Sequence, residues 1–337
     1  MKIGRTELLD ALSLVQPGLA AKEVIEQSQS FVFKGKHVYT YNDRIALSTP
    51  SPLDIEGAVK AAELLSLLSK SKVKEYDIEI TDNEFLLKSR KSKAGIRLEA
   101  EISLPLDEIS QPTDWTDLPK RFCEALKFCL FSAGTDMSKE ILTCLHIKGR
   151  HVTSCDNFRI TRYDMGKSAT KQFPDSLLIP ATAVRELLRY EPLTYGISDG
   201  WIHFRMENGA VFSCRSVEQK YPDMSKYMEV EGESVEMPKR LAEALDRASI
   251  FVKTEFEQDE QVELSLKEGN LQVNGEGDSG WFKERIKIEY DGEPVRFHVN
   301  PQFLMETLDL LHEMTIGEDK LRLEGENFVH VVNLLVG

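Results

Sequence analysis

Three groups of residues in this chain have the types and spacing that chemistry would need. Gly275-Glu276-Gly277-Asp278-Ser279-Gly280 fits Gly-x-Gly-x-x-Gly, which cradles a dinucleotide pyrophosphate when it joins a strand to a helix. Here the following residues, 281–290, place apolar side chains alternately toward Ile286, Ile288 and Tyr290, as a strand does, so the loop reads as a hairpin. His146 and His151 stand near Cys144 and Cys155, the ligand types of a zinc site, but alternation along a strand pair sends such side chains to different faces. Asp156 and Arg159 pair opposite charges three residues apart without a nucleophile and general base beside them. The seven histidines show no His-Glu-x-x-His spacing, and neither a P-loop nor a Gly-x-Ser-x-Gly elbow occurs. No enzymatic role, metal or cofactor is expected.

What does recur is positive charge on or beside helices: Lys22, Lys72, Lys74, Lys120, Arg121, Lys127, Arg185, Arg189, Lys239 and Arg240. The formal net charge of the chain is nonetheless −14. That balance argues against a protein that coats nucleic acid with a basic exterior, and it leaves room for a basic stripe on one face.

The elements that carry these charges repeat. Asp10-Ala11-Leu12, Glu124-Ala125-Leu126 and Glu243-Ala244-Leu245 are successively 114 and 119 residues apart, close to a third of the 337-residue chain. Each sits in a segment with helical spacing, over 6–15, 119–131 and 238–251. In the last of these Leu241, Ala244, Leu245 and Ala248 form one apolar stripe. Pro119 and Pro238 suit the first helical position, where a missing N–H costs nothing. Second helices are expected over 61–69, 183–190 and 303–311, with Pro180 and Pro301 as starts for the latter two; Glu63, Glu186 and Glu306 mark them at separations of 123 and 120.

Between the helices the pattern changes to period two, as over 31–33, 38–41, 145–152, 262–273, 76–87, 201–206 and 321–323. Turn residues such as Lys34-Gly35-Lys36 and Glu268-Gly269-Asn270 interrupt it. Turn formers gather at 110–119 and in the acidic stretch 229–238, so the expected domains are 1–112, 113–232 and 233–337. The expected fold class is α+β, with two helices on antiparallel sheet in each domain.

An apolar content of 41% and a charged content of 29% are those of globular protein. No apolar run approaches the roughly 20 residues that span a bilayer. The basic start is interrupted by acidic residues and helical periodicity, unlike a signal peptide, so a cytoplasmic location is expected. Five cysteines among apolar neighbours, with no Cys-x-x-Cys, read as buried reduced thiols.

Several segments then carry a resemblance. Cys155–Thr161 (CDNFRIT) resembles the Thr-Asp-Gly-His-Arg-Leu-Ala segment of bacterial DNA polymerase sliding clamps, the beta subunits of the replicase. The segments 178–188 (LIPATAVRELL), 219–223 (QKYPD), 244–250 (ALDRASI) and 296–311 are similar to further segments of that family. The likeness covers the second and third domains well and the first weakly. Two departures fit a divergent clamp, bacterial or phage-encoded. Asn157-Phe158 stands where the family has Gly-His, and Asn333-Leu334-Leu335-Val336-Gly337 stands where it has Met-Pro-Met-Arg-Leu.

The resemblance implies a head-to-tail homodimer of six domains, closed around double-stranded DNA with helices inward. The ten basic residues above would face phosphates, which they bind without reading bases. The last helix should be less positive because of Glu306, Asp309 and Glu313. The resemblance also implies a peptide cleft for DNA polymerase and other clients. Its wall would be Asn157, Phe158, Arg159, Ile160, Pro222, Tyr227, Phe256, Asn300, Phe303, Val331, Val332, Asn333, Leu334 and Leu335. Ile96 and Leu98 would meet Ile250 and Phe251 of the second chain, and a clamp loader ATPase would open the ring. The alternative is a clamp-like ring or an acidic scaffold serving a non-replicative client in repair or phage transcription.

Overall fold

The structure, a computed structural model, describes residues 1–170, 172–174, 176–308 and 313–335. Six α-helices lie among the described residues: α1 (Arg5–Val15), α2 (Ala61–Lys70), α3 (Phe122–Leu130), α4 (Ala181–Leu187), α5 (Leu241–Ser249) and α6 (Pro301–Met305). All strand pairings that build the three sheets are antiparallel, so the class is α+β, as the periodicities indicate. The chain forms two compact units, residues 1–119 with 182–218, and residues 120–181 with 219–337.

Unit 1 is built on a twelve-stranded sheet running from Lys2–Gly4 at one edge to Thr116–Asp117 at the other. Strand Ile45–Pro50 pairs with Val211–Arg215, setting Ile45 opposite Cys214 and Ser48 opposite Val211. Residues of the first third and of the second thus share one sheet, and the compact unit follows that pairing. Helix α1 buries Leu8, Leu12 and Val15, and α2 buries Ala61, Leu64 and Leu68; the two helices pack together. Each leucine so buried stabilises by about 2 kcal/mol.

Unit 2 holds an eight-stranded sheet and a four-stranded one. In the larger, Arg159–Asp164 pairs with Phe328–Asn333, with Ile160 opposite Val331 and Arg159 opposite Val332. Helix α5 lays the apolar stripe read from the sequence, Leu241, Ala244, Leu245 and Ala248, into the core with Val262, Leu264, Leu271 and Val273.

The prolines need correcting. Helices α3 and α5 begin at Phe122 and Leu241, three residues beyond Pro119 and Pro238. The Pro238 carbonyl accepts from Leu241 N at 2.9 Å, so Pro-Lys-Arg forms a turn, and the first core side chain sets the helix start. Pro180 ends a strand just before α4. Pro301 alone takes the first helical position, where Asn300 caps α6 by accepting from Gln302 N at 2.9 Å and Phe303 N at 3.4 Å. The helix expected over 303–311 ends at Met305 as an α-helix, and Asp309 and Leu311 lie outside the described residues.

The Gly-x-Gly-x-x-Gly loop is a hairpin. Strands Asn270–Gly277 and Gly280–Lys287 pair with Gly277 opposite Gly280, leaving Asp278-Ser279 as the two-residue turn. Its glycines serve packing against α5: a Cβ on Gly277 would lie 2.0 Å from the Phe251 carbonyl oxygen, and one on Gly275 2.7 Å from that of Ala248. Both obstacles are backbone, so Gly277→Ala is expected to lower unit 2's stability by about 2 kcal/mol in urea unfolding, within the range for overpacking. An unchanged midpoint would refute this.

Candidate functional site

Most residues of the expected peptide cleft fall on four pieces of unit 2, namely the turn before and start of strand Arg159–Asp164, the end of Phe328–Asn333 with the residues after it, helix α6 with its cap, and the short helix Ser225–Met228, while Pro222 and Phe256 lie in loops outside them. The turn is fixed by Asp156, whose Oδ1 accepts from Phe158 N at 2.7 Å and Arg159 N at 2.9 Å. This places Asn157 at the tip, where its Oδ1 accepts from Lys139 Nζ at 2.8 Å. The Phe158 carbonyl accepts from Asn333 N at 2.8 Å, extending the sheet pairing past its last register pair.

Arg159 is the hub. Its side chain is 11% exposed. Nε donates to Asp156 Oδ2 at 3.1 Å, Nη1 to Glu306 Oε2 at 2.5 Å and Nη2 to the Phe131 carbonyl at 2.5 Å. The guanidinium also sits over the Phe303 ring, 4.2 Å from its centroid, and Phe158 lies 6.1 Å from that ring. A planar fork with several donors suits this arrangement, and an ammonium does not.

Other predicted cleft residues divide by exposure. Tyr227 and Phe256 are exposed aromatics, and Lys320 Nζ approaches the Tyr227 ring to 6.0 Å. Pro222 is exposed, and Ile160, Phe303, Leu334 and Leu335 are half-buried. Leu334 packs on the core of unit 2, and the Leu335 N–H donates to the His298 carbonyl at 2.9 Å. Val331, Val332 and Asn300 are buried, so they shape the floor from beneath and offer no side-chain surface. Asn300 also donates through Nδ2 to the Glu257 carbonyl at 2.7 Å, which holds the segment beside Phe256.

Beneath Arg159 runs a buried polar chain. Ser132 Oγ lies 2.5 Å from Thr161 Oγ1, which lies 2.8 Å from His330 Nδ1. Burial, with Arg159 adding to it, pushes the His330 pKa down to about 3, so this imidazole is neutral. Burial likewise pushes the Cys144 thiol up to about 11 and raises Cys129 and Cys155, which makes these thiols unreactive. Among the described residues no group of three or more His, Cys, Asp and Glu is placed to hold a metal ion.

Of the predicted phosphate-facing residues, Lys127 and Arg185 lie in α3 and α4, Lys22 in the irregular segment before strand Ser30–Lys34, and the others in the segments that flank α2 to α5. Lys22, Lys72, Lys74, Lys120, Lys127, Arg185, Lys239 and Arg240 are exposed, and Arg189 is exposed while paired to Glu186 at 3.1 Å. Arg121 is half-buried and donates to Asn327 Oδ1 at 2.7 Å, which leaves it less available to an outside anion.

The expected subunit contact splits. Ile250 is 64% exposed, and Phe251 is half-buried. Ile96 and Leu98 are buried in unit 1, because strand Lys93–Glu99 turns both toward the core. Their side chains therefore cannot serve as the contact surface, and strand Lys93–Glu99 can offer only its backbone edge and its exposed face. Reading the sequence missed Trp281, 67% exposed at the hairpin beside Phe251; its place just after the Gly-x-x-Gly turn was the available signal.

Comparison with known proteins bears on this arrangement directly. Residues 229–327 match the family model described as DNA polymerase III beta subunit, C-terminal domain. The beta sliding clamp of Synechococcus elongatus is 24% identical over 296 residues, which cover 81% of this chain and 77% of that protein. Among solved structures, a sliding clamp from Pseudomonas aeruginosa bound to griselimycin superposes with a TM-score of 0.87 at 16% identity, covering 100% of this chain and 99% of that one. The beta chain from Streptococcus pneumoniae gives 0.85 at 19% identity, with the same coverage. The chain has the fold of the bacterial sliding clamps over its whole length. The match to the DNA polymerase III beta subunit model lies in its C-terminal third.

Proposed function

We propose that the protein is a DNA sliding clamp and processivity factor, made of three repeated domains, 1–112, 113–232 and 233–337. Two copies join head to tail around duplex DNA and tether DNA polymerase and other clients. The observation that carries this reading is the full-length agreement with clamp structures in a chain whose sequence repeats three times. Exposed cations recur in or beside several of the helices although the net charge is −14, which suits weak phosphate contact on one face and repulsion elsewhere. A head-to-tail contact closes into a ring when its rotation allows, and the exposed Ile250 and Trp281 offer an apolar patch for it. The protein itself performs no chemistry; a clamp loader ATPase opens the ring, and the location is cytoplasmic. Among the described residues no helix is long and apolar enough to cross a membrane.

Clients dock in the cleft around Arg159, Phe303, Leu334 and Tyr227, where apolar anchors stand beside a few fixed polar groups. Holding a polymerase there replaces repeated rebinding with a high local concentration. On a nicked circular plasmid the loaded protein is expected to stay bound, and linearising the plasmid is expected to release it. Equal retention on both forms would overturn the reading. Leu334→Asp is expected to weaken capture of a clamp-binding polymerase peptide at least tenfold while leaving retention on circles intact. Undiminished capture would remove the cleft assignment alone.

A further inference from the structure

One concave surface of unit 2 shares only Pro222 with the predicted cleft and otherwise has no part in the function proposed above. Register places His146, Thr153 and Arg162 side by side across three strands, and Lys148, His151 and Asp164 in the next row of the same face. Neighbours in such rows have Cβ atoms roughly 5 Å apart. The opposite face of the same strands carries Leu145, Ile147, Val152 and Tyr163, all buried. Lys220 to Ser225 also line this face, which forms an open cavity of about 810 Å³ to which Arg150 and Thr170 contribute as well.

The charges in this cavity do not balance. Lys148, Arg150, Arg162 and Lys220 line it, against Asp223, which lines it too, and Asp164, which Arg150 already holds at 3.1 Å. Arg162 Nε donates to Thr153 Oγ1 at 3.3 Å, and among the described residues no carboxylate lies within ion-pair distance of its guanidinium. Burial lowers the Arg162 pKa from its ordinary value, and the charge of Asp223 offsets this only in part. His146 is pushed down to about 4 by burial, with Lys148 and Arg162 adding to it. The cations therefore converge on the space in front of these rings, and in a chain of net charge −14 such a local surplus calls for an anion.

We propose that this cavity binds phosphate groups. Guanidinium forks, ammonium groups and the Thr153 hydroxyl, which accepts from Arg162 and keeps its own proton, supply donors from several directions, which suits a tetrahedral oxyanion with three or four acceptors. The volume has room for a molecule of nucleotide size. The phosphate comes either from a free phosphorylated small molecule or from a nucleic-acid strand, and the recognition chemistry is the same.

Inorganic pyrophosphate titrated calorimetrically into the full-length protein is expected to bind saturably, with one site per chain and a Kd of roughly 1 mM or tighter. Lys148→Gln/Lys220→Gln removes two exposed cations without disturbing the core and should weaken binding at least tenfold; Arg162→Gln should weaken it further. No saturable binding, or binding unchanged in the double variant, overturns the proposal. Displacement of pyrophosphate by a short single-stranded oligonucleotide carrying a 5′-phosphate assigns the source to nucleic acid, and no displacement assigns it to a small molecule. Retention on circular DNA is measured separately, so the clamp reading and this one can fail independently.

Discussion

Arg159→Ala is expected to lower the stability of unit 2 by about 3 kcal/mol, the low end of the cost of stripping one partner from a buried ion pair. The side chain satisfies two carboxylates and a carbonyl at once. Without it Asp156 and Glu306 remain charged with side chains only 17% and 25% exposed. Their partial access to water keeps the loss from reaching the top of that range. Phe303 also loses the guanidinium over its ring. Arg159→Lys restores the charge but cannot reach three acceptors, so it should recover only part of the loss. Adding Glu306→Gln to Arg159→Ala should regain stability, because one unpaired charge is gone. Urea unfolding decides: a loss below about 1 kcal/mol would mean that solvent replaces the arginine and that the hub assignment is wrong.

Acid should destabilise both units well before most carboxylates protonate. His203 in unit 1 is fully buried between Ser198 Oγ at 2.9 Å and Ser213 Oγ at 2.8 Å, and burial pushes its pKa down to about 4. His330 in unit 2 is held at about 3 by its own burial. In the unfolded chain both titrate near the ordinary value of about 6.5. Below that pH the unfolded state takes up protons that the native state refuses. Stability is therefore complete above about pH 6.5 and falls as pH drops toward the folded values. By pH 5 each histidine should have cost about 2 kcal/mol relative to neutral pH. Urea midpoints at neutral pH and at pH 5 measure this. His203→Gln should flatten the pH response of unit 1 and leave that of unit 2; identical profiles for variant and parent would refute the assignment.

The helical stripes were legible because their periodicity is local. Leu241, Ala244, Leu245 and Ala248 face the core as their spacing requires, and the even intervals of the three copies gave the repeat. The prolines misled because a proline fits a turn as well as a first helical residue, and only the core side chains choose between them. Ile96 and Leu98 show a different limit. Alternation says that they share a face, but which face is covered depends on what packs there. The setting of Arg159 was not readable at all. Its partners Phe131 and Glu306 lie 28 and 147 residues away, brought in by the C-terminal ends of α3 and α6. The cavity around Arg162 likewise exists only once register stacks three strands.

The pairing of Ile45–Pro50 with Val211–Arg215 also bears on how the chain is made. A ribosome must add roughly 160 further residues before the second of these strands exists, which takes on the order of ten to thirty seconds at common elongation rates. Throughout that interval the nascent chain carries an unpaired strand edge with Ile45 and Leu47 on it, open to another chain. Unit 1 thus cannot complete its sheet during early translation, and its assembly waits on residues from the second third of the polypeptide.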